Sequence, residues 1–215
     1  MTDTEIKMAT GGPYDQRLAR HLIRPFARTG LTPNMVTGIS FLFGLGSAFT
    51  FALAMYSLAG WGALLFMLAV LTDHMDGELA RMTGQTSALG HHLDYLVGTR
   101  NYAALFIGLG VGLSDAQWGE TALGLGLTVG IANPVSCTLR MLMDMRYGAD
   151  AVEHPHFGGF EIEDFIYLIG PITWLGGVEY FFLFYGLGTF GYLIFTIVSM
   201  FRQEYQRNKL GDPGP

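Results

Sequence analysis

The residues that could do chemistry are concentrated in "DHMDGELARMTGQTSALGHHLDYLVG", residues 73–98. Asp73, Asp76, Gly77 and Ala80 are spaced i, i+3, i+4, i+7 and share one face of a helix. Gly90, Asp94 and Gly98 are spaced i, i+4, i+8 and share a face of the next helix. The short connection "MTGQTSAL" folds the two faces together. Asp73, Asp76 and Asp94 then converge, and their mutual repulsion calls for cations. Hard oxygen ligands without cysteine suit Mg²⁺ or Mn²⁺, not zinc. Glycine and alanine on the same faces leave the backbone open to a bulky ligand. Arg81 can hold a phosphate in bidentate fashion. Metals, small residues and an arginine together suggest phosphoryl transfer from a nucleotide.

These charges must be positioned by segments that read as membrane helices. The chain has 215 residues, 50% hydrophobic and only 14% charged, with 30 glycines. Its net charge of −6 argues against nucleic acid as a partner. The single cysteine, Cys137, excludes an intrachain disulfide and a thiolate cluster. The polar start "MTDTEIKMAT" does not read as a cleavable signal peptide. From Thr29 to Thr72 there is no charged residue. A spanning helix needs about 20 apolar residues, so this run predicts two spans. The break between them is expected at "LAGWG", Leu58 to Gly62. A third span runs back from Ser114 through Asn101 to Asp94, and a fourth covers Thr121 to Leu139. A shorter fifth covers Phe165 to Val178, and a sixth Tyr180 to Phe201. Before them, "PYDQRLARHLIRPFARTG" carries Arg17, Arg20, Arg24 and Arg28 at helical spacing beside a Leu18, Leu22, Phe26 stripe. That pattern predicts an amphipathic helix on the inner leaflet, its arginines anchored to anionic headgroups. Thr32 and Pro33 supply a cap and a first helical position for the first span.

The expected fold is therefore all-α: a polytopic membrane protein of six transmembrane helices preceded by an amphipathic inner-leaflet helix. Residues 1–12 are expected to be a flexible N-terminus, 13–205 a single membrane domain, and 206–215 a flexible tail. With six spans, all 12 basic residues fall on one side or at helix ends on that side. The other side holds only Asp115, Glu120 and Glu179. Basic residues mark the cytoplasmic side. Both termini and the aspartate-rich stretch are thus expected to be cytoplasmic, in the cytoplasmic membrane.

The pattern D-x2-D-G-x2-A-R-x8-G-x3-D, Asp73 to Asp94, resembles the signature of the CDP-alcohol phosphotransferases, also called CDP-alcohol phosphatidyltransferases. The resemblance extends to the leading inner-leaflet helix and to "TPNMVT" at the start of the first span. It implies a homodimer that moves a phospho-alcohol unit from a CDP-linked donor to an acceptor hydroxyl and releases CMP. It implies that Asp73, Asp76 and Asp94 bind two divalent metals. It further implies that Asp73, Gly77, Ala80, Arg81 and Gly90 line the CDP moiety, with Asn34 and Thr37 beside it. The family signature ends in a further aspartate, a metal ligand and general base, and here that position is Gly98.

The missing base directs attention to nearby groups. His91 and His92 flank the motif and are either a substitute base or a polar helix start. Glu161, Glu163 and Asp164 follow "HPHFGGF", which holds His154 and His156. They read as acids favouring a helix N-terminus, or as acceptor recognition or a relocated base. Arg140 reads as an anion site for the acceptor or as a marker of the interface. Glu78 is expected to point off the metal face, and the glycines from Gly108 to Gly130 to serve close helix packing. Three function classes follow: a transferase with altered chemistry, a catalytically silent relative that binds CDP-linked lipid as sensor or scaffold, and a transporter. The transporter fits least, because its ionisable groups would sit at mid-membrane.

Overall fold

A computed structural model describes residues 14–85, 88–115, 118–147, 156–157 and 160–210; the side chains of 88–98, 147, 156–157, 160–164, 207, 208 and 210 lie outside the description. The order is α1 (Tyr14–Ile23), a 3₁₀ turn (Arg24–Arg28), α2 (Pro33–Ala52), α3 (Tyr56–Thr83), α4 (Ala88–Ser114) and α5 (Gly119–Tyr147). Then come β1 (His156–Phe157), β2 (Phe160–Glu161), a second 3₁₀ segment (Ile162–Leu168), α6 (Ile169–Trp174) and α7 (Val178–Leu210). Among the described residues the fold is helical apart from the two-residue antiparallel ladder of β1 and β2. Among the described residues, four helices are long and apolar enough to cross a membrane: Pro33–Ala52, Tyr56–Thr83, Gly119–Arg146 and Val178–Gln206.

Local sequence explains most boundaries. Thr32 caps α2, its hydroxyl accepting from the Met35 N–H at 3.3 Å, and Pro33 follows in the first turn. α1 ends at Ile23 because Arg24 precedes Pro25, which disfavours α-helical geometry there. α1 buries Ala19 and Ile23, while Leu18, Leu22 and Phe26 stay exposed. Gly84 closes α3 at φ 69°, a left-handed cap that a glycine takes without strain.

Two expectations are corrected. Leu58 to Gly62 is not a turn but the second turn of α3. The chain reverses at Leu53 to Met55, where Ala54 takes a φ of 54°. Gly60 and Gly62 serve packing instead: Trp174 lies over the first and Phe51 over the second. The fifth predicted span, Phe165 to Val178, is not one continuous α-helix. Pro171 lacks the N–H that would bond the residue 167 carbonyl, so 3₁₀ geometry precedes a six-residue α6. Gly176, at φ 80°, follows its end. α6 packs on α3, with Ile166 and Ile169 fully buried in the main core beside Phe66.

α4 is the central helix of the bundle, packed between α2 and α5, while α7 packs on α5. Glycines permit this. A Cβ on Gly108 would overlap the Ala48 carbonyl oxygen, and one on Gly112 the Phe51 carbonyl oxygen. Gly110 and Gly126 meet across α4 and α5. Gly124, expected to do the same, faces open space. Gly108→Ala should therefore cost about 1–3 kcal/mol, as overpacking does. Gly124→Ala should be neutral or stabilising, by at most roughly 1 kcal/mol, because alanine is the better helix former. Thermal unfolding in detergent compares them, and equal effects would contradict the packing described.

Candidate active site

The charged residues of the motif that the structure describes, Asp73 to Arg81, lie in the last three turns of α3. That helix divides its polar residues between two neighbours. Asp73 and Asp76 turn toward α2, and His74 and Glu78, spaced i, i+4, turn toward α1.

On the α2 side, Asp76 is buried at 5% exposure. The Thr37 hydroxyl lies 2.5 Å from Asp76 Oδ2 and 3.0 Å from the Pro33 carbonyl. One proton serves both acceptors, and the charged, closer one holds it more strongly. Arg100 of α4 donates to the Thr37 carbonyl at 3.0 Å and stacks over Phe41, 4.8 Å from the ring centroid. Asp73 Oδ1 lies 3.4 Å from Ser40 Oγ, which donates to the Ala69 carbonyl at 2.9 Å. Asn101 donates its amide to Ser40 Oγ at 2.8 Å, and its Oδ1 stands where a Gly44 side chain would project. Ser40 and Asn101 are fully buried. Three helices are thus joined by hydroxyl and amide bonds beside the two carboxylates.

On the α1 side, Glu78 is 3% exposed and accepts from Arg20 Nε at 2.9 Å and Arg20 Nη2 at 3.1 Å. It also accepts from Arg81 Nη2 at 2.8 Å. Asp15 Oδ2 lies 2.7 Å from His74 Nδ1. Ile23, Val36 and Leu79 form a small buried cluster beneath these pairs. The reading of Arg20 as a headgroup anchor is corrected: Glu78, a buried anion close by, outcompetes a solvated phosphate. Glu78 does lie off the Asp73–Asp76 face, as expected.

Other predicted site residues distribute as follows. Gly77 and Ala80 lie on α3, and the Arg81 guanidinium passes over Gly77, 3.6 Å from where a Cβ would stand. Asn34 is exposed in the first turn of α2. Arg140 of α5 is 4% exposed, its guanidinium 5.2 Å from the Tyr192 ring centroid of α7. Gly90, His91, His92, Asp94 and Gly98 belong to α4, but their side chains lie outside the described residues. Glu163 and Asp164 belong to the second 3₁₀ segment, with side chains outside the description, and His154 lies wholly outside it. The β1–β2 register pairs His156 with Glu161. Ser40, Asp15 and the Arg20–Glu78 pair were not anticipated. Their partners lie far away in sequence, and no short-range pattern announces them.

The donor set fits a hard divalent cation. Asp73 and Asp76 offer carboxylate oxygens, the ligands such an ion takes, and Asp76 is buried with one oxygen engaged by Thr37. Among the described residues no group of three His, Cys, Asp or Glu side chains assembles as a metal site; the third expected ligand, Asp94, is outside that search.

A family model described as CDP-alcohol phosphatidyltransferase matches residues 30–189. The chain is 33% identical over 102 residues to an archaetidylinositol phosphate synthase of Pyrococcus horikoshii, covering 47% of this chain and 52% of that protein. It is 34% identical over 95 residues to a phosphatidylinositol phosphate synthase of Mycolicibacterium smegmatis, covering 43% and 41% respectively. The chain thus spans about half the length of these two relatives. An uncharacterised protein of Aquifex aeolicus is 32% identical over 202 residues, 92% of each chain.

Proposed function

Because this chain belongs to the CDP-alcohol phosphatidyltransferase family, we propose that it is a membrane transferase that moves a phosphatidyl-type phospho-alcohol from a CDP-linked donor to an acceptor, releasing CMP, in phospholipid or related biosynthesis. The observation that carries this reading is the buried Asp76, bonded to Thr37, on the same face as Asp73, with the Arg81 guanidinium lying over the neighbouring Gly77. Asp73, Asp76 and Asp94 would hold two Mg²⁺ or Mn²⁺ ions, which supply charge neutralisation at the donor pyrophosphate and the leaving CMP. Arg81 binds a donor phosphate, and Gly77 leaves room for it to approach. Gly90, Ala80, Asn34 and Thr37 complete the CDP pocket. Thr37 also fixes the orientation of the Asp76 carboxylate.

The proposed acceptor is anionic. Two relatives are named for making lipid-linked inositol phosphates, which suggests a phosphorylated polyol here. Arg140, buried on Tyr192, is the cation assigned to it. With Gly98 at the usual base position, the acceptor proton passes to a relocated base, drawn from His91, His92 or the His156–Glu161 pair. The membrane arrangement proposed is six spans, with α4 and the 3₁₀–α6 segment added to the four long apolar helices. α1 lies on the inner leaflet, both termini are cytoplasmic, and the enzyme is a homodimer. Gly98 favours a second reading, a silent relative that binds CDP-linked lipid without turnover.

Purified protein in sealed vesicles, given CDP-alcohols, lipid extract and phosphorylated polyols, should release CMP detectable by mass spectrometry. Release should require Mg²⁺ or Mn²⁺ and occur only when the cytoplasmic face is outward. CDP binding without CMP release would favour the silent relative. Thermal stabilisation by CDP that is equal with metal and with EDTA would overturn the proposed site.

A further inference from the structure

Glu78 lies inside the motif, yet the donor site as proposed gives it no task. It is a buried carboxylate on the opposite side of α3 from Asp76, about 200° round the helix. Both of its oxygens are engaged. Arg20 grips it with two nitrogens in the fork geometry that suits a guanidinium and a carboxylate. Arg81, one turn further on, adds a third bond at 2.8 Å. The two arginines differ in exposure. The Arg20 side chain is 26% exposed and the Arg81 side chain 57%.

The geometry of Arg81 follows from that bond. Its Nη2 is held by Glu78, and both terminal nitrogens lie 3.6 Å from the Cβ position of Gly77. Gly77 shares its face with Asp73 and Asp76. Glu78 therefore draws the guanidinium back along α3 and lays it beside the carboxylate face. A guanidinium has five N–H donors, so Arg81 can keep this bond and still present donors to a phosphate. α1 does not depend on the ion pair alone, because Ala19 and Ile23 bury their side chains and Ile23 packs with Leu79.

We propose that Glu78 is a positioning residue for the donor site: it holds Arg81 in the orientation that meets a nucleotide phosphate. The proposal rests on the reading of Arg81 as a phosphate ligand. The competing role is that of a staple between α1 and α3, and the two separate experimentally. Glu78→Gln keeps the shape and removes the charge. It should raise the KM for the CDP-linked donor by about tenfold, in the range by which supporting partners of a ligating group act. The value of kcat at saturating donor and the acceptor KM should stay within about twofold. Arg20→Gln cuts the link to α1 but leaves Glu78 to Arg81. It should lower the melting temperature and leave the donor KM unchanged. If Glu78→Gln does not fold, the double variant Arg20→Gln/Glu78→Gln removes the buried charges together and should show the same tenfold rise. A donor KM unchanged in both Glu78 variants, or raised as much by Arg20→Gln alone, overturns the positioning role. Arg81→Gln tests the underlying reading separately: if it leaves CDP binding intact, the donor-site assignment fails, whatever Glu78 does.

Discussion

Replacing Asp76 by Asn is expected to lower CMP release by at least about 10²-fold, a loss on the scale of removing one aimed electrostatic group from an active site. The same change should leave the metal-free protein as stable as the wild type, or more so. Asp76 shares its face with Asp73, and without cations the two carboxylates repel. Asparagine relieves that repulsion while still accepting the bond from Thr37, 2.5 Å away in the parent. Activity and apo stability should thus move in opposite directions. The measurements are CMP release under saturating donor and metal, and thermal unfolding in EDTA. A variant that loses stability in EDTA and activity together would mean that Asp76 is structural. One that keeps activity would remove it from the site.

The second large effect concerns Gly98→Asp. A positioned general base contributes typically 10²–10⁴-fold, so restoring a carboxylate here should raise transfer to a plain alcohol acceptor by a factor of that order. The backbone accepts the change. Position 98 lies within α4, where aspartate is no worse a helix former than glycine. It stands one turn beyond Asp94 and one turn before Asn101, on the same side of the helix. Wild type and variant compared on alcohol, phosphate and carboxylate acceptors give a clear division. If wild type is inert with every acceptor and Gly98→Asp turns over alcohols, the natural protein is a silent relative. If wild type is active and the variant impaired, the glycine belongs to an altered site.

Much of this architecture could be read from local signals. The Thr32–Pro33 helix start depends on two adjacent residues, and both act as expected. The carboxylates of α3 were placed together by helical spacing alone. Failures arose where one residue type serves two purposes. Gly60 and Gly62 look like a turn in sequence, yet they exist to admit Trp174 and Phe51. The reversal at Leu53 to Met55 carries no glycine or proline to mark it. Ser40 and Asn101 carry no local sign of their role, because each is the other's partner, 61 residues apart. Arg20 and Glu78 are 58 residues apart, and only the packing of α1 on α3 reveals the pair.

The three-residue reversal between α2 and α3 also bears on how the protein is made. Thr37, Ser40, Asp73 and Asp76 all belong to this one helical hairpin, which precedes α4 in the chain. Their contacts need no later part of the chain. The insertion machinery therefore receives the two aspartates together with the Thr37 hydroxyl that bonds Asp76 and the Ser40 hydroxyl beside Asp73. Arg100 and Asn101 arrive afterwards on α4 and bond to its Thr37 carbonyl and Ser40 hydroxyl. Assembly of the site is thus ordered by translation: hairpin first, clasp second.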